Sequence, residues 1–250
     1  MAPSVWFYTL VSVLVISLIS LIGAITLSIK THKLRAFLIY MIAFAAGALF
    51  GDAFLHLLPE AAKEGGLTVA FSSFLLLGIG GFFILEKFVH WQHCHMPITE
   101  EHVHPFAITN LVGDGLHNFI DGLIIGVSYM VSLPVGLATT IAVALHEIPQ
   151  EIGDFGILLH GGFTKTKALT LNFVSALLAV VGAIVALVAD TYVTNIQTFV
   201  IPITIGGFIY IAGSDLIPEL HKEFETKKSI YQLLAFAAGI LVMGALLLLD

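Results

Sequence analysis

One stretch of the sequence, GDGLHNFIDG at 113–122, combines imidazole, carboxylate and amide side chains. Asp114, His117 and Asp121 are spaced three and four residues apart, so in a helix they share one face, and Asn118 lies beside them. Side chains of these types that converge from one helical face can bind a metal ion or relay protons.

A second stretch, HEIPQEIGDF at 146–155, repeats this chemistry. The polar residues along one side of its predicted helix are His146, Glu147, Gln150, Glu151 and Asp154. Pro149 lies among them. Because proline lacks a backbone donor, it frees a carbonyl of the preceding turn, which predicts a bend at this point.

These carboxylates have no basic partner nearby, since no Lys or Arg occurs between Lys87 and Lys165. A group of acids away from water would protonate or bind a cation, so we expect the cation to be the substrate. Imidazole nitrogens mixed with carboxylate and amide oxygens suit Zn²⁺ and its first-row neighbours better than Ca²⁺ or Mg²⁺. A proton relay would use the same residues and stays open at this point.

The composition indicates where such a site lies. The chain has 58% hydrophobic residues, 11% charged residues and a mean hydropathy of +1.01, whereas an ordinary soluble domain has about 25% charged residues. We therefore expect an integral membrane protein. Its single cysteine, Cys94, excludes a disulfide within one chain, and the net charge of -7 argues against a nucleic acid as a partner.

Eight apolar runs are long enough to cross a bilayer as helices, which takes about 20 residues. They are 5–29, 36–58, 67–89, 105–127, 134–159, 168–189, 196–217 and 230–249. His117 and His146 each lie 12 residues from the start of their own run. This distance is about 18 Å of helix, which predicts a site near the bilayer midplane. The fold class is thus an all-α membrane protein, with 1–250 as a single transporter domain.

Basic residues near the ends of these runs predict the orientation. With the N-terminus outside, nine of the ten Lys and Arg residues fall on cytoplasmic segments, and Lys63 alone falls outside. We therefore expect a multi-pass protein of the cell membrane with both termini outside. A homodimer is an open possibility.

Two similar motifs suggest an inverted repeat. HLLPEA at 56–61 ends the second predicted span, which runs outward, and DLIPEL at 215–220 ends the seventh, which runs inward. Matching segments on opposite membrane faces are typical of transporters with inverted-topology repeats. The prediction is a 3+2+3 arrangement, in which the fourth and fifth spans lie between two related halves.

The motifs HNFIDG and HEIPQEIGDF resemble those of the ZIP (Zrt/Irt-like) family of divalent metal transporters, and the longer frame is most similar to its LIV-1 branch. The resemblance implies zinc uptake, with Fe²⁺, Mn²⁺ and Cd²⁺ as other candidate ions. It also implies an elevator-type mechanism, in which a group containing the fourth and fifth helices moves against a scaffold of the second, third, seventh and eighth.

The resemblance carries a ligand set onto particular residues. The implied metal ligands are His117, Asn118, Asp121, His146, Glu147 and Gln150. Gln150 departs from the LIV-1 pattern, which usually has histidine there. A neutral amide cannot bridge two cations as a carboxylate can, so a two-metal site is doubtful in this chain. Glu151, Asp114 and Asp154 are candidates for additional ligands or for the pathway.

Polar residues outside the two motifs could also contact the ion. Asp52, His56 and Glu60 are spaced four apart and could line an entrance, while Asp215 could mirror them at the exit. Histidines crowd a connection predicted to be cytoplasmic, 90–104, which we interpret as a metal acceptor or sensor. They are His90, His93, His95, His102 and His104.

Two other classes of protein stay open. A membrane metalloprotease would need the pattern H-E-x-x-H, but Gln150 stands where the second histidine would be and Pro149 would break the helix. A metal-binding membrane protein that transports nothing is the other alternative. Metal flux into sealed vesicles would separate these classes.

Overall fold

The computed structural model describes residues 3–26, 31–64, 66–90, 105–193 and 195–249, and these residues are almost entirely helical. The helices are α1 Pro3–Ile19, α2 Ile22–Thr26, α3 Thr31–Gly51, α4 Leu58–Glu64, α5 Val69–His90, α6 Pro105–Val131, α7 Leu133–His160, α8 Lys165–Ala176, α9 Leu178–Ala189, α10 Gln197–Tyr210, α11 Ile217–Leu220 and α12 Thr226–Leu246. A short 3₁₀ helix, Leu247–Leu249, follows the last of them.

Six segments within the described residues are long and apolar enough to cross a membrane. They are Pro3–Ala24, Phe37–Lys63, Val69–Lys87, Lys165–Ala189, Gln197–Leu220 and Thr226–Leu246. Each corresponds to one of the eight predicted spans. The other two predicted spans are α6 and α7, which have 27 and 28 residues but whose polar side chains make them less apolar than the six. The predicted class of an all-α membrane protein is confirmed.

Two of the long segments contain a π-helical stretch that the sequence analysis did not predict. These stretches are Asp52–Leu57, between α3 and α4, and Ile211–Leu216, between α10 and α11. Pro59 and Pro218 follow them by two residues. Each proline lacks the backbone N–H that would bond to the carbonyl four residues earlier, inside the π-helical stretch, so the regular ladder cannot continue.

The sixth predicted span is also less regular than expected, because it is divided into α8 and α9 at Leu177. The hydroxyl of Ser175 can donate its one hydrogen either to the carbonyl of Asn172, at 3.0 Å, or to a carboxylate of the neighbouring helix α6. Bonds of the first kind compete with the helical ladder and often bend a helix.

Reciprocal glycine contacts relate the two halves of the chain. Gly47 of α3 lies against the carbonyl of Phe236 in α12, and Gly239 of α12 lies against the carbonyl of Phe44 in α3. A Cβ atom at either glycine would overlap the facing backbone. Helices α3 and α12 therefore pack closely against each other.

The same pattern recurs between α10 and α5. Gly206 lies against the carbonyl of Leu75, and Gly78 lies against that of Ile203. Gly206 follows Gly47 by 159 positions, and the same offset separates the two π-helical stretches and the motifs HLLPEA and DLIPEL. The α3–α12 pair and the α10–α5 pair are thus built alike, as an inverted repeat requires.

The helices form two groups. In the first, which we call the scaffold group, α3 packs on α12 and α5 packs on α10. The second, which we call the site group, consists of α1, α2 and α6 to α9, with α6 packed on α9 and on α7. The groups meet where α3 contacts α7 and where α5 and α10 contact α6. Both sequence motifs belong to the site group.

Candidate metal centre

The two motifs face each other on an antiparallel helical hairpin of α6 and α7. Ser132 ends the short connection and caps α7, since its hydroxyl accepts a hydrogen bond from the backbone N–H of Val135 at 3.3 Å. Pro134 lies in the first turn, where a missing N–H costs nothing. The helix continues through Pro149, so both motifs lie on α-helices, and the bend at Pro149 stays a prediction.

Four side chains converge between these helices. They are His117, Asp121, His146 and Glu147, each of which is buried and offers one donor atom within 4.8 Å of the others. Among the residues that the structure describes, this is the one group of three or more His, Cys, Asp and Glu residues that meets this criterion. Two of the side chains come from α6 and two from α7.

The distances within this four-residue cluster are short and nearly equal. The Nε2 atoms of His117 and His146 lie 3.2 Å apart. Nε2 of His117 lies 3.7 Å from Oδ2 of Asp121 and 3.5 Å from Oε1 of Glu147. Nε2 of His146 lies 3.3 Å and 3.4 Å from the same two oxygens. The four donor atoms therefore surround a common point.

The carboxylates of the cluster accept no hydrogen bond. Both oxygens of Asp121 and both of Glu147 are buried without a hydrogen-bond partner. Buried polar atoms are nearly always satisfied, so four unsatisfied oxygens at one place indicate a missing ligand. The Nδ1 atom of His146 lies 3.2 Å from the carbonyl of Ala142. If Nδ1 carries the proton, it donates there and leaves Nε2 free to bind a cation.

The remaining acids of the motifs are held by neutral donors. Asp114 accepts hydrogen bonds from the amide of Asn118, at 2.9 Å, and from the hydroxyl of Ser175. Glu151 accepts one from the amide of Asn172. These acids therefore differ from the cluster, because each has at least one partner.

Asp154 is held in a similar way. It accepts a hydrogen bond from the amide of Asn110 at 2.8 Å. Asn110, Asn172 and Ser175 belong to no motif in the sequence. Asn172 and Ser175 could have been noticed, since they are three residues apart and interrupt an otherwise apolar span.

Two of the six residues implied by the resemblance lie beside the cluster. The amide nitrogen of Asn118 donates to Asp114, while its Oδ1 is buried without a partner. Gln150 lines a cavity next to the cluster and contacts Asp114. Glu147, which directly follows His146, is by contrast one of the four residues of the cluster.

The cavity has a volume of about 140 Å³, and His117 is part of its wall. Acids and other polar groups line much of it. They include Glu86, Asp114, Gln150, Asp154, Tyr210 and Asp215. Glu86 accepts a hydrogen bond from the hydroxyl of Tyr210. These residues lie in the halves of their helices that the sequence predicts to be cytoplasmic.

The candidates on the second predicted span are in the scaffold group, away from the cluster. Asp52 is buried and accepts a hydrogen bond from the hydroxyl of Thr139 at 2.9 Å. Nε2 of His56 lies 2.8 Å from the carbonyl of Met243. Glu60 is partly exposed and forms an ion pair with Lys63 at 3.1 Å.

The histidines of the 90–104 connection lie, with one exception, outside the part of the chain that the structure describes. His90 ends α5, and His93, His95, His102 and His104 lie outside the described residues. Their role as a metal acceptor or sensor stays a prediction.

Comparisons with known proteins agree with this chemistry. A family model described as ZIP zinc transporter matches residues 4–107 and 101–247. The chain is 37% identical over 212 residues to zinc transporter ZIP13 of Pongo abelii, which covers 81% of this chain and 65% of that protein. It is 32% identical over 302 residues to zinc transporter ZIP13 of Danio rerio, covering 97% of this chain and 87% of that protein.

A third relative, zinc transporter zipt-7.2 of Caenorhabditis elegans, is 30% identical over 298 residues. This match covers 95% of the present chain and 64% of the relative, so the chain spans about two thirds of the length of some relatives that it matches. These proteins are named as transporters and not as enzymes, which argues against the metalloprotease alternative. The predicted resemblance is confirmed: the chain belongs to the ZIP zinc transporter family and is most similar to its LIV-1 branch.

Proposed function

We propose that the protein takes up a divalent transition metal, preferentially zinc, through the four-residue cluster of His117, Asp121, His146 and Glu147. The observation that carries the proposal is the spacing of the donor atoms. Zn²⁺ binds His nitrogen at about 2.0–2.1 Å and carboxylate oxygen at about 2.0–2.2 Å, and it prefers a tetrahedron. The edges of such a tetrahedron are about 3.3–3.6 Å long. The five separations between cluster donors are 3.2–3.7 Å.

The chemistry of the donors favours the same ion. Two imidazole nitrogens and two carboxylate oxygens form a mixed set that suits Zn²⁺ and is unlike the all-oxygen sets of Ca²⁺ and Mg²⁺. Two carboxylates also neutralise the charge of one divalent ion, which offsets the cost of placing it away from water. Fe²⁺, Mn²⁺ and Cd²⁺ are weaker candidates, because ligand type alone discriminates little among these metals.

The cavity supports a release route toward the cytoplasm. His117 belongs both to the cluster and to the cavity wall, so an ion that leaves the cluster enters the cavity directly. Asp114 and Asp154 are the next anionic groups along the wall. We infer that the structure represents the inward-facing state and that uptake ends along this wall.

The packing supports an elevator mechanism. Each close glycine contact between helices of the described residues joins two helices of the same group. Gly47, Gly78, Gly206 and Gly239 are within the scaffold group, and Gly122 and Gly182 join α6 to α9 within the site group. Helices held in this way move as a unit, and the boundary between the groups is where movement costs least.

Side-chain hydrogen bonds give the same division. Among those between described residues, the bond from Thr139 to Asp52 is the one that joins the groups. The site group, which carries the cluster, can therefore move along the scaffold group without breaking many polar contacts. The lysine distribution supports the membrane orientation on which the direction that we propose, from the outside to the cytoplasm, is based.

The test is zinc flux into sealed vesicles that contain the purified protein and enclose a zinc indicator. Wild type should fill the vesicles when zinc is added outside, and Asp121→Asn should reduce the rate at least ~100-fold, because even partners outside the ligand set contribute 10–100-fold to metal affinity. Asp190→Asn, at the partly exposed end of α9, is the matched control and should transport like wild type. Absence of flux with zinc, iron, manganese and cadmium would exclude transport.

A further inference from the structure

Asp52 is a buried carboxylate that the cluster does not use. Its side chain is completely buried in the scaffold group at the first position of a π-helical stretch. One oxygen accepts the hydrogen bond from Thr139, while Oδ1 has no hydrogen-bond partner. A buried acid with one empty oxygen is costly unless a cation compensates it in some state of the protein. Single-turn π-helical stretches often occur at functional sites.

The position of Thr139 on α7 connects Asp52 with the cluster. Thr139 precedes His146 by seven residues, which is about two turns, so both side chains lie on the same face of α7. The residues between them on this face, Ala142 and Val143, are apolar and completely buried. Asp52 thus faces the same stripe of α7 that carries His146, about 10 Å nearer the outside.

A shift of α7 along its axis by two turns would replace Thr139 with His146 beside Asp52. The residues on the stripe that pass Asp52 during this shift are apolar, and no other side-chain hydrogen bond between described residues of the two groups has to break. The shift is outward, which is the direction in which the site group must move to load an ion from outside.

The inverted repeat bears on the π-helical stretch that begins at Asp52 and not on Asp52 itself, whose counterpart 159 positions later is Ile211, a buried residue outside the cavity wall. Asp215, in the π-helical stretch of α10–α11, lines the cavity on the inner side of the cluster. Its counterpart 159 positions earlier is His56, in the π-helical stretch that Asp52 begins. In an inverted repeat, the outer π-helical stretch lines the cavity of the outward-facing state in the way that the inner one lines the cavity seen here.

We propose that Asp52 is a ligand of the transported metal in the outward-facing state, and that the Thr139 hydroxyl takes the place of the ion once the site group has moved inward. The carboxylate would bind the ion next to His146 during loading and lose it as α7 slides past. This inference rests on the proposed function, because it requires transport by movement of the site group.

The first test separates loading from structure through the concentration dependence of zinc uptake in vesicles. Asp52→Asn keeps the shape and one acceptor oxygen but removes the charge, so the half-saturating zinc concentration should rise at least tenfold. Thr204→Val is the matched control, since it removes a buried hydroxyl of the scaffold group and leaves the Asp52 carboxylate and its hydrogen bond in place. Its half-saturating concentration should stay within twofold of wild type. An equal rise in both variants, or none in Asp52→Asn, would overturn the inference.

The second test uses metal preference, which a purely structural residue would not change. A thiolate is a soft ligand that favours Cd²⁺ over Mn²⁺. Asp52→Cys should therefore raise the ratio of cadmium to manganese uptake at least tenfold over wild type, while Thr204→Cys, in the same group of helices, should leave the ratio unchanged. Both variants are made with Cys94→Ser, so that the native thiol does not contribute. An unchanged ratio in Asp52→Cys refutes the role of Asp52, whereas a wild type without uptake refutes the transport function itself.

Discussion

The Nε2 atoms of His117 and His146 lie 3.2 Å apart, although the two residues are on different helices and 29 positions apart in the chain. Both atoms also lie within 3.7 Å of the same two carboxylate oxygens. Neither imidazole can thus be replaced without changing the surroundings of the other. The two histidines should act as one unit in metal binding.

This relationship predicts strong non-additivity. We expect His117→Ala and His146→Ala each to weaken zinc binding at least ~100-fold. The zinc affinity of the double variant should be only slightly lower than that of either single variant, because the loss of one histidine already removes the tetrahedral coordination of the ion. Calorimetric titration of the purified protein measures this. His221→Ala, on an exposed turn, is the control and should bind like wild type. Additive losses would mean that the histidines bind metal separately.

Glu147 should matter more than Gln150. Its two oxygens are buried without a partner at the centre of the cluster, whereas Gln150 is only partly buried and lines the cavity. We expect Glu147→Gln to weaken zinc binding at least ~10-fold and Gln150→Ala to weaken it less than threefold. The reason is that a metal ligand contributes more to metal affinity than a residue beside the ligands. Zinc affinities of the two purified variants decide the order. The reverse order would place Gln150 among the ligands.

Ser175 should contribute to stability through Asp114. Its hydroxyl donates to a buried carboxylate, and Ser175→Ala leaves that acceptor with fewer donors. Loss of a hydrogen bond to a buried charged group costs about 1.5–3 kcal/mol in unfolding free energy. Thermal unfolding in detergent should show the loss. Ser73→Ala, which removes an exposed hydroxyl bonded to the carbonyl of Val69, should unfold at the wild-type temperature.

Two glycines of α5 should respond in opposite directions to the same substitution. Gly78→Ala places a methyl group against the carbonyl of Ile203, so α5 and α10 must separate and the protein should unfold at a lower temperature. Gly80→Ala meets no atom within 4 Å and should leave stability unchanged or raise it by up to about 1 kcal/mol, because alanine is the better helix former. Equal effects would contradict the close packing of this pair.

A bridge between the two groups should stop transport. Asp52→Cys combined with Thr139→Cys in a Cys94→Ser background, joined through disulfides by a short bis-methanethiosulfonate cross-linker, fixes the π-helical stretch after α3 to α7, and zinc flux should fall to background until a reductant cleaves the link. Ser17→Cys with Ala176→Cys is the matched control, because the hydroxyl oxygen of Ser17 lies 2.8 Å from the carbonyl oxygen of Ala176 and both residues belong to the site group. Cross-linking the control pair should leave flux intact. Persisting flux through the bridged α3–α7 pair would exclude movement between the groups.

The sequence was sufficient to predict the all-α class and the positions of the helices. Apolar runs located the membrane-crossing segments to within a few residues, and helical spacing put His117 and Asp121 on one face. It was not sufficient to rank Glu147 above Gln150, because both positions suit a ligand and only the facing of α6 and α7 decides between them. Asn110, Asn172 and Ser175 were missed for a related reason, since a single polar residue in an apolar span does not indicate what it contacts.

The π-helical stretches were also beyond sequence analysis. Proline within a membrane helix can produce a kink, a 3₁₀ turn or a π-helical stretch, and which of these forms depends on the neighbouring helices. The matching motifs at 56–61 and 215–220 indicated the repeat, but only the facing glycines related its two halves residue by residue.

The reciprocal glycine contacts have a thermodynamic consequence. When two halves of a chain share a design but point in opposite directions, exchanging their conformations turns an inward-facing molecule into an outward-facing one with equivalent contacts. The inward-facing and outward-facing states should then differ little in free energy, so the fold itself should not favour one direction of transport. Net flux would follow the electrochemical gradient of the ion, and a vesicle loaded with zinc should empty through the same protein that filled it.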